Sequence, residues 1–229
     1  MPQKSVVPEE LTAAVEDYVK AIYTLQSREG SATTNALASR LDVRPASVSG
    51  MLKKLTALGL VVHEPYHGVR LTVQGRRVAL EVLRHHRLIE LFLSEELGMS
   101  WDRVHAEAEV LAHVLSEDLE QLIAARLGDP TVDPHGDPIP TVEFGIDEPA
   151  TRSLDELPLG ASGRLVRVSD DPEMLRYLAG LGIALGDRLE VVGRQPFGGP
   201  VFVRFGAQEH PIGGALARAM RIETEEAIG

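Results

Sequence analysis

The chain has 229 residues, 44% of them hydrophobic and 25% charged, with a net charge of -11 and no cysteine. This is the composition of a globular chain long enough for two or three small domains, and it excludes disulfides, thiol catalysis and every thiolate metal site. No apolar run reaches the ~18 residues that span a bilayer, and MPQKSVVPEE lacks the apolar core of an export signal, so a cytoplasmic location with no membrane partner is expected.

Between Glu9 and Gln26 the residues Leu11, Val15, Val19, Ile22 and Leu25 recur at helical spacing and predict a first helix. After the Gly30-Ser31 break, Thr33 caps a short helix through Leu41, and Asp42-Val43-Arg44-Pro45 turns the chain into a helix from about Ala46 to Leu58. Leu60 to His63 and Val69 to Thr72 are β-prone, with Pro65-Tyr66-His67-Gly68 as the bend between them. A helix-turn-helix followed by a hairpin predicts a winged helix over residues 1–73. That segment carries eight Lys/Arg against seven Asp/Glu, so the acidity lies in the rest of the chain and this part can approach a polyanion.

Val73 to Leu97 and Trp101 to Leu127 are long amphipathic segments that predict an antiparallel helical pair. Their Leu, Val and Ala content exceeds what the small N-terminal domain can cover, which predicts packing against a second copy, a homodimer. Gly128 to Thr151 is dense in Pro, Gly and Asp and reads as a linker closing a helical dimerisation and metal-binding domain over residues 74–150. In residues 151–229, Gly163 to Val168, Arg188 to Val192 and Pro200 to Phe205 are β-prone and Pro172 to Leu181 reads as a helix, predicting a small, partly open β-barrel. The expected class is mainly α with small β.

The strongest chemical pattern lies on the two long segments. His86 and Glu90 are four residues apart, and His105, Glu109 and His113 continue at the same interval, so each set lines a helix face. At about 100° per residue His113 is turned roughly 80° from His105, an arrangement that feeds two adjacent metal sites. For any single residue, a solvated charge or a hydrogen-bonded histidine is the ordinary reading, and five coincident imidazoles and carboxylates weigh against it. His63, His67 and His85 lack a matching carboxylate pattern and are given no metal.

EDYVKAIYTL, HHRLIELFL and VHAEAEVLAHVLSEDLE resemble helices of the diphtheria toxin repressor family, and the resemblance covers nearly the whole chain. It implies a metal-dependent transcriptional repressor with a winged helix, dimer helices, the DPHGDPIP connector and a C-terminal SH3-like domain, binding operator DNA as a dimer with two metal sites per subunit. Carried over by position, one site is His86, Glu90 and His105 and the other Asp17, Glu109 and His113. Iron-responsive members have a methionine at the position of Asp17 and a cysteine at that of Glu109. Carboxylates at both resemble the manganese branch, so Mn2+ is the expected ion, with Fe2+ or another divalent transition ion as the alternative. Hard oxygen donors suit Mn2+, the weakest binder of the Irving–Williams order.

Two departures matter. Ala112 stands where the manganese branch usually has a further carboxylate, and Lys20 where some members carry a glutamate, which argues against a close pair of ions; Glu107, His86 or water are the candidates for the missing ligand. In longer members the C-terminal domain lends ligands, which points to Asp171 and Glu173, although both also suit the N-terminus of a helix.

For DNA, RPASVSGMLKKL would place Arg44, Ser47 and Ser49 near the groove and Lys53 and Lys54 at phosphates, with Arg70 of the wing a further phosphate contact. Gly50 stands where some relatives have a base-reading glutamine, so shape readout is expected to carry part of the sequence choice. Two other classes compete: a metallohydrolase using the His/Glu cluster, disfavoured by the absence of a nucleophile motif or phosphate loop, and a winged-helix regulator sensing a small organic ligand. No enzymatic activity and no small-molecule substrate are expected.

Overall fold

The computed structural model describes residues 11–64 and 68–224. These fall into two compact units, the first made of Met1–Leu88, Glu109–Gly128 and Pro140–Ile146, the second of Ile89–Ala108, Asp129–Ile139 and Asp147–Gly229.

In the first unit, helix α1 (Ala13–Glu29) buries Val15, Tyr18, Val19, Ile22 and Leu25, and it stops at Gly30, whose left-handed backbone donates its N–H to Gln26 O. The expected start at Glu9 lies outside the described residues. Thr33 caps α2 (Thr34–Arg40) by accepting the Ala36 N–H, and Pro45 opens α3 (Pro45–Ala57), where Pro's fixed φ is already helical. Strands β1 (Val61–Glu64) and β2 (Gly68–Leu71) pair antiparallel with Val61 opposite Leu71. Val69 N–H donates to Ala32 O at 3.2 Å, tying this wing to the turn before α2. Of the expected bend, Pro65 to His67 lies outside the described residues.

Thr72 opens α4 (Val73–Glu95), its hydroxyl oxygen accepting the Gly75 N–H at 3.0 Å. The expected second long helix, Trp101 to Leu127, is instead broken. It comprises α5 (Val104–Leu111), a 3-10 turn (Ala112–Val114) and α6 (Glu117–Arg126). The cause is local: Ser116 is extended and accepts the Leu119 N–H, and Glu117, Asp118 and Glu120 fill the first turn of α6, a helix start that outweighs continuity of the apolar stripe.

Glu120 is buried between Arg84, whose Nε lies 2.6 Å from one carboxylate oxygen, and His85, whose Nε2 lies 3.0 Å from the other. Arg84 also donates to Pro140 O at 2.8 Å. Burial pushes the Glu120 carboxyl up, but hydrogen bonds and charge from His85 and Arg84 outweigh it and hold the group below the ordinary glutamate value. A carboxylate depressed in the folded state stabilises fully above its unfolded value, and that contribution is lost as pH falls through the folded one. Glu120→Gln is therefore expected to lose about 3 kcal/mol at neutral pH. The gap from wild type should narrow in strong acid, as read from thermal midpoints across a pH series.

The second unit holds a six-stranded sheet in the order β3-β8-β4-β5-β6-β7. Its strands are β3 (Arg152–Ser153), β4 (Ser162–Arg167), β5 (Arg188–Arg194), β6 (Val201–Phe205), β7 (Gln208–Ile212) and β8 (Arg221–Thr224), with helices α7 (Pro172–Gly180) and α8 (Gly214–Ala219). Irregular register between Leu165 and Arg167 and between Val191 and Gly193 bends the sheet around a core that includes Leu165, Leu175, Leu178, Val191, Val203 and Ile222.

The segment expected to be a linker is a built turn. Asp133 Oδ1 accepts the N–H groups of His135 and Asp137, and Ile139 N–H donates to Thr131 O. Asp133, His135, Asp137 and Ile139 are all buried. The Pro, Gly and Asp content reflects tight turn chemistry, with Asp133 satisfying successive backbone donors.

Candidate metal centres and DNA-facing surface

The first centre lies in the first unit. Helix α1 supplies Asp17, α5 supplies Glu109, and the 3-10 turn after α5 supplies His113; one ligand atom from each lies within 4.8 Å of the others. His113 Nε2 is 3.1 Å from Asp17 Oδ1, while its Nδ1 is 2.5 Å from Glu16 Oε2. Lys20, one turn beyond Glu16 on α1, sets its Nζ 2.7 and 2.6 Å from the two carboxylate oxygens of Glu109. Ala112 is buried and brings no polar group. Glu16 lies beside the group, on the imidazole nitrogen that faces away from Asp17. Glu107, named as a possible replacement from sequence, is exposed on α5 and lies outside the group.

The set assigned from the family resemblance did not include Glu16, which meets His113 only through the packing of α1 beside the 3-10 turn. The 3-10 turn changes the angle at which the imidazole leaves the backbone and presents both ring nitrogens to neighbouring residues of α1. The consecutive acids Glu16-Asp17 were the available signal.

The second centre gathers around Glu90. On α4, His86 stands one helical turn before Glu90, and both are buried. Within the second unit, Glu90 Oε1 is 2.9 Å from His105 Nδ1 and 4.0 Å from His135 Nδ1. Glu90, Asp133 and His135 offer ligand atoms within 4.8 Å of one another, and all three are buried. His135 Nε2 lies 2.8 Å from Trp101 O. A carbonyl only accepts, so this nitrogen carries a proton and donates it to Trp101 O, which sets Nδ1 on the side of Glu90.

Asp133 and His135 were not singled out from sequence, because the turn holding them read as linker. A histidine between two aspartates in DPHGD was the readable sign.

Asp171 and Glu173 are not brought to this centre. Asp171 Oδ1 accepts the N–H groups of Glu173 and Met174 as the cap of α7, and Glu173 is exposed in the first turn. The carboxylate from this loop that does reach it is Asp170, 3.6 Å from His105 Nδ1. A side chain at the cap position is drawn back onto its own helix, which leaves its predecessor to point outward.

Both centres present nitrogen and oxygen donors only, in sets of three or more with mixed imidazole and carboxylate, a chemistry that fits a divalent transition ion.

Arg44, Ser47, Ser49, Lys53 and Lys54 are all exposed on or just before α3, and Arg70 is exposed on β2. Ser49 Oγ donates to Pro45 O at 3.1 Å, leaving its lone pairs outward. Gly50 is also exposed, with nothing near a side chain built there.

Residues 10–69 match the family described as iron dependent repressor, N-terminal DNA binding domain, and residues 72–141 match its metal binding and dimerisation domain. Residues 152–224 match the FeoA domain. Over 227 residues the chain is 32% identical to the iron-dependent repressor IdeR of Mycobacterium tuberculosis, covering 93% of this chain and 98% of that protein. The chain belongs to the diphtheria toxin repressor family.

The diphtheria toxin repressor of Corynebacterium glutamicum is 31% identical over 230 residues, covering 95% of this chain and 99% of that one. Among solved structures, a manganese-dependent transcriptional repressor in complex with manganese superposes with a TM-score of 0.88 at 41% identity, over 92% of this chain and 100% of that one. The manganese regulator SloR superposes with a TM-score of 0.80 at 30% identity, over 94% and 100%. As a member of this family the protein is a metal-dependent, DNA-binding transcriptional repressor rather than an enzyme, with an SH3-like C-terminal domain. Among the described residues no helix is long and apolar enough to cross a membrane.

Proposed function

We propose that this diphtheria toxin repressor family member is manganese-dependent and grips its operator as a metal-loaded dimer. The observation that carries the reading is the convergence of Asp17, Glu109 and His113, hard donors from α1 and from the dimerisation segment, within 4.8 Å. A divalent ion held there supplies the charge that lets carboxylates from both elements stay together. Asp17 then ties the helix preceding the DNA-binding helices to the segment that packs on the second subunit.

With that orientation fixed, two α3 helices would sit about one DNA turn, ~34 Å, apart, and operator binding would carry a smaller ordering cost. Metal and DNA must then strengthen each other's binding by the same factor. Val110, Val114, Leu119 and Leu122 are exposed on α5, the following turn and α6, an apolar surface suited to the dimer contact. The second centre takes its ion from Glu90 and His105, with Asp133, His135 and Asp170 as further donors; His86 is the remaining candidate, one turn before Glu90 on the same helix.

Manganese is favoured over iron on two grounds. Neither centre carries sulfur, which removes the donor that most favours softer ions. Two structural relatives at 41% and 30% identity are themselves described as manganese repressors or regulators. The sequence relatives described as iron-dependent favour Fe2+ as the alternative.

The test is fluorescence anisotropy on promoter DNA from manganese-transport genes, chelated and then titrated anaerobically with Mn2+ or Fe2+. Tight binding with Mn2+ alone is expected. An equal response to Fe2+ removes the metal assignment and leaves the family reading, and binding indifferent to both ions sinks the switch in favour of an organic effector.

A further inference from the structure

The first centre contains a cation of its own. Lys20 Nζ is within 2.7 Å of both oxygens of Glu109, with only 14% of the lysine side chain exposed. Lys20 thus already sets one positive charge against Glu109, and a second ion beside the first would face both that ammonium and its neighbour ion. Ala112 offers no carboxylate to bridge a pair.

We propose that Lys20 occupies the place of a second metal ion, making the Asp17/Glu109/His113 centre mononuclear and setting its affinity for the ion it does bind. This rests on the metal-centre reading above. Each oxygen of Glu109 has two lone pairs, so Glu109 can bind an ion on one while Lys20 stays on the other; the ammonium is a fixed neighbour of the bound ion rather than a rival that must leave. Its repulsion weakens the centre and raises the metal concentration at which the repressor responds.

The experiment uses the full chain, metal-stripped and titrated with Mn2+, followed by native mass spectrometry for stoichiometry and by electron paramagnetic resonance. Wild type is expected to give the spectrum of magnetically isolated Mn2+. K20M, which keeps the apolar stem and removes the charge, is expected to bind at this centre about tenfold tighter, the effect of one unit charge a few ångströms from a divalent ion in a solvent-screened site. K20E combined with A112E is expected to take up one further Mn2+ per subunit and show an exchange-coupled spectrum.

An exchange-coupled spectrum in wild type overturns the proposal, as does unchanged or weaker binding in K20M, which would make Lys20 a positioning residue for Glu109. Unchanged stoichiometry in the double variant, with its thermal midpoint retained, overturns it also. Asp17→Ala serves as the separate control. If it leaves Mn2+ stoichiometry at the wild-type value, the centre itself has been misplaced, a failure distinguishable from that of Lys20's role.

Discussion

Replacing His113 by alanine is expected to abolish metal-dependent operator binding while the chain remains a dimer. The imidazole faces two α1 carboxylates at once, Glu16 at 2.5 Å and Asp17 at 3.1 Å. Without it, the ion loses its nitrogen donor and the two acids lose the group that holds them toward the 3-10 turn. Affinity for Mn2+ at this centre should fall by about two orders of magnitude or more, because a ligand and the orientation of its neighbours go together. The exposed apolar residues of α6, Leu119 and Leu122, are untouched, so dimerisation should persist. Anisotropy at saturating Mn2+ and light scattering on the same sample check both halves. A variant that still binds operator only when loaded would show that the switch lies elsewhere.

Gly136→Ala is expected to destabilise the second unit by about 2–4 kcal/mol and to strip the second centre of metal. Gly136 has φ +83°, where an L side chain is strained, and a Cβ built there would fall 1.9 Å from Val166 O. That obstacle is backbone in a sheet strand and cannot swing aside. The neighbouring tie is equally specific: Val168 N–H donates to His135 O at 3.0 Å. Relief of the clash must therefore move the turn, carrying Asp133 and His135 away from Glu90. Thermal unfolding and Mn2+ stoichiometry measure the two effects. A stable variant with undiminished metal content would mean that the turn does not position the second centre.

The two predictions differ in how visible their residues were in the sequence. His113 belongs to a His-Glu-His series with the spacing of a helix face, so its chemistry could be proposed from residue types and intervals alone. Gly136 and His135 sit in a segment whose Pro, Gly and Asp content suits a linker and a packed turn equally well, because both require the same backbone punctuation. Burial separates them, and burial is not a local property.

A similar division runs through the rest of the chain. The edge strand β7 escaped notice because Gln208, Glu209 and Pro211 dilute its β pattern; proline is tolerated there since one side of the strand needs no ladder bond. The break before α6 was legible in Ser116-Glu117-Asp118-Leu119-Glu120, yet the apolar periodicity on either side of it masked the signal.

By itself the sequence determined the class of chemistry and the order of the parts. A cysteine-free chain restricts strong metal ligands to imidazole and carboxylate, helical periodicity sets His86 beside Glu90, and caps and turns mark out the helix-turn-helix and its wing. Only the tertiary structure decided which donors meet. Glu16 joins His113 across 97 positions of sequence, and Lys20 joins Glu109 across 89. Asp170 rather than Asp171 approaches His105, since the cap of α7 claims one of two adjacent acids. Periodicity constrains neighbours along one element, whereas a metal centre is closed by side chains from several, and their approach is set by the packing of the cores beneath them.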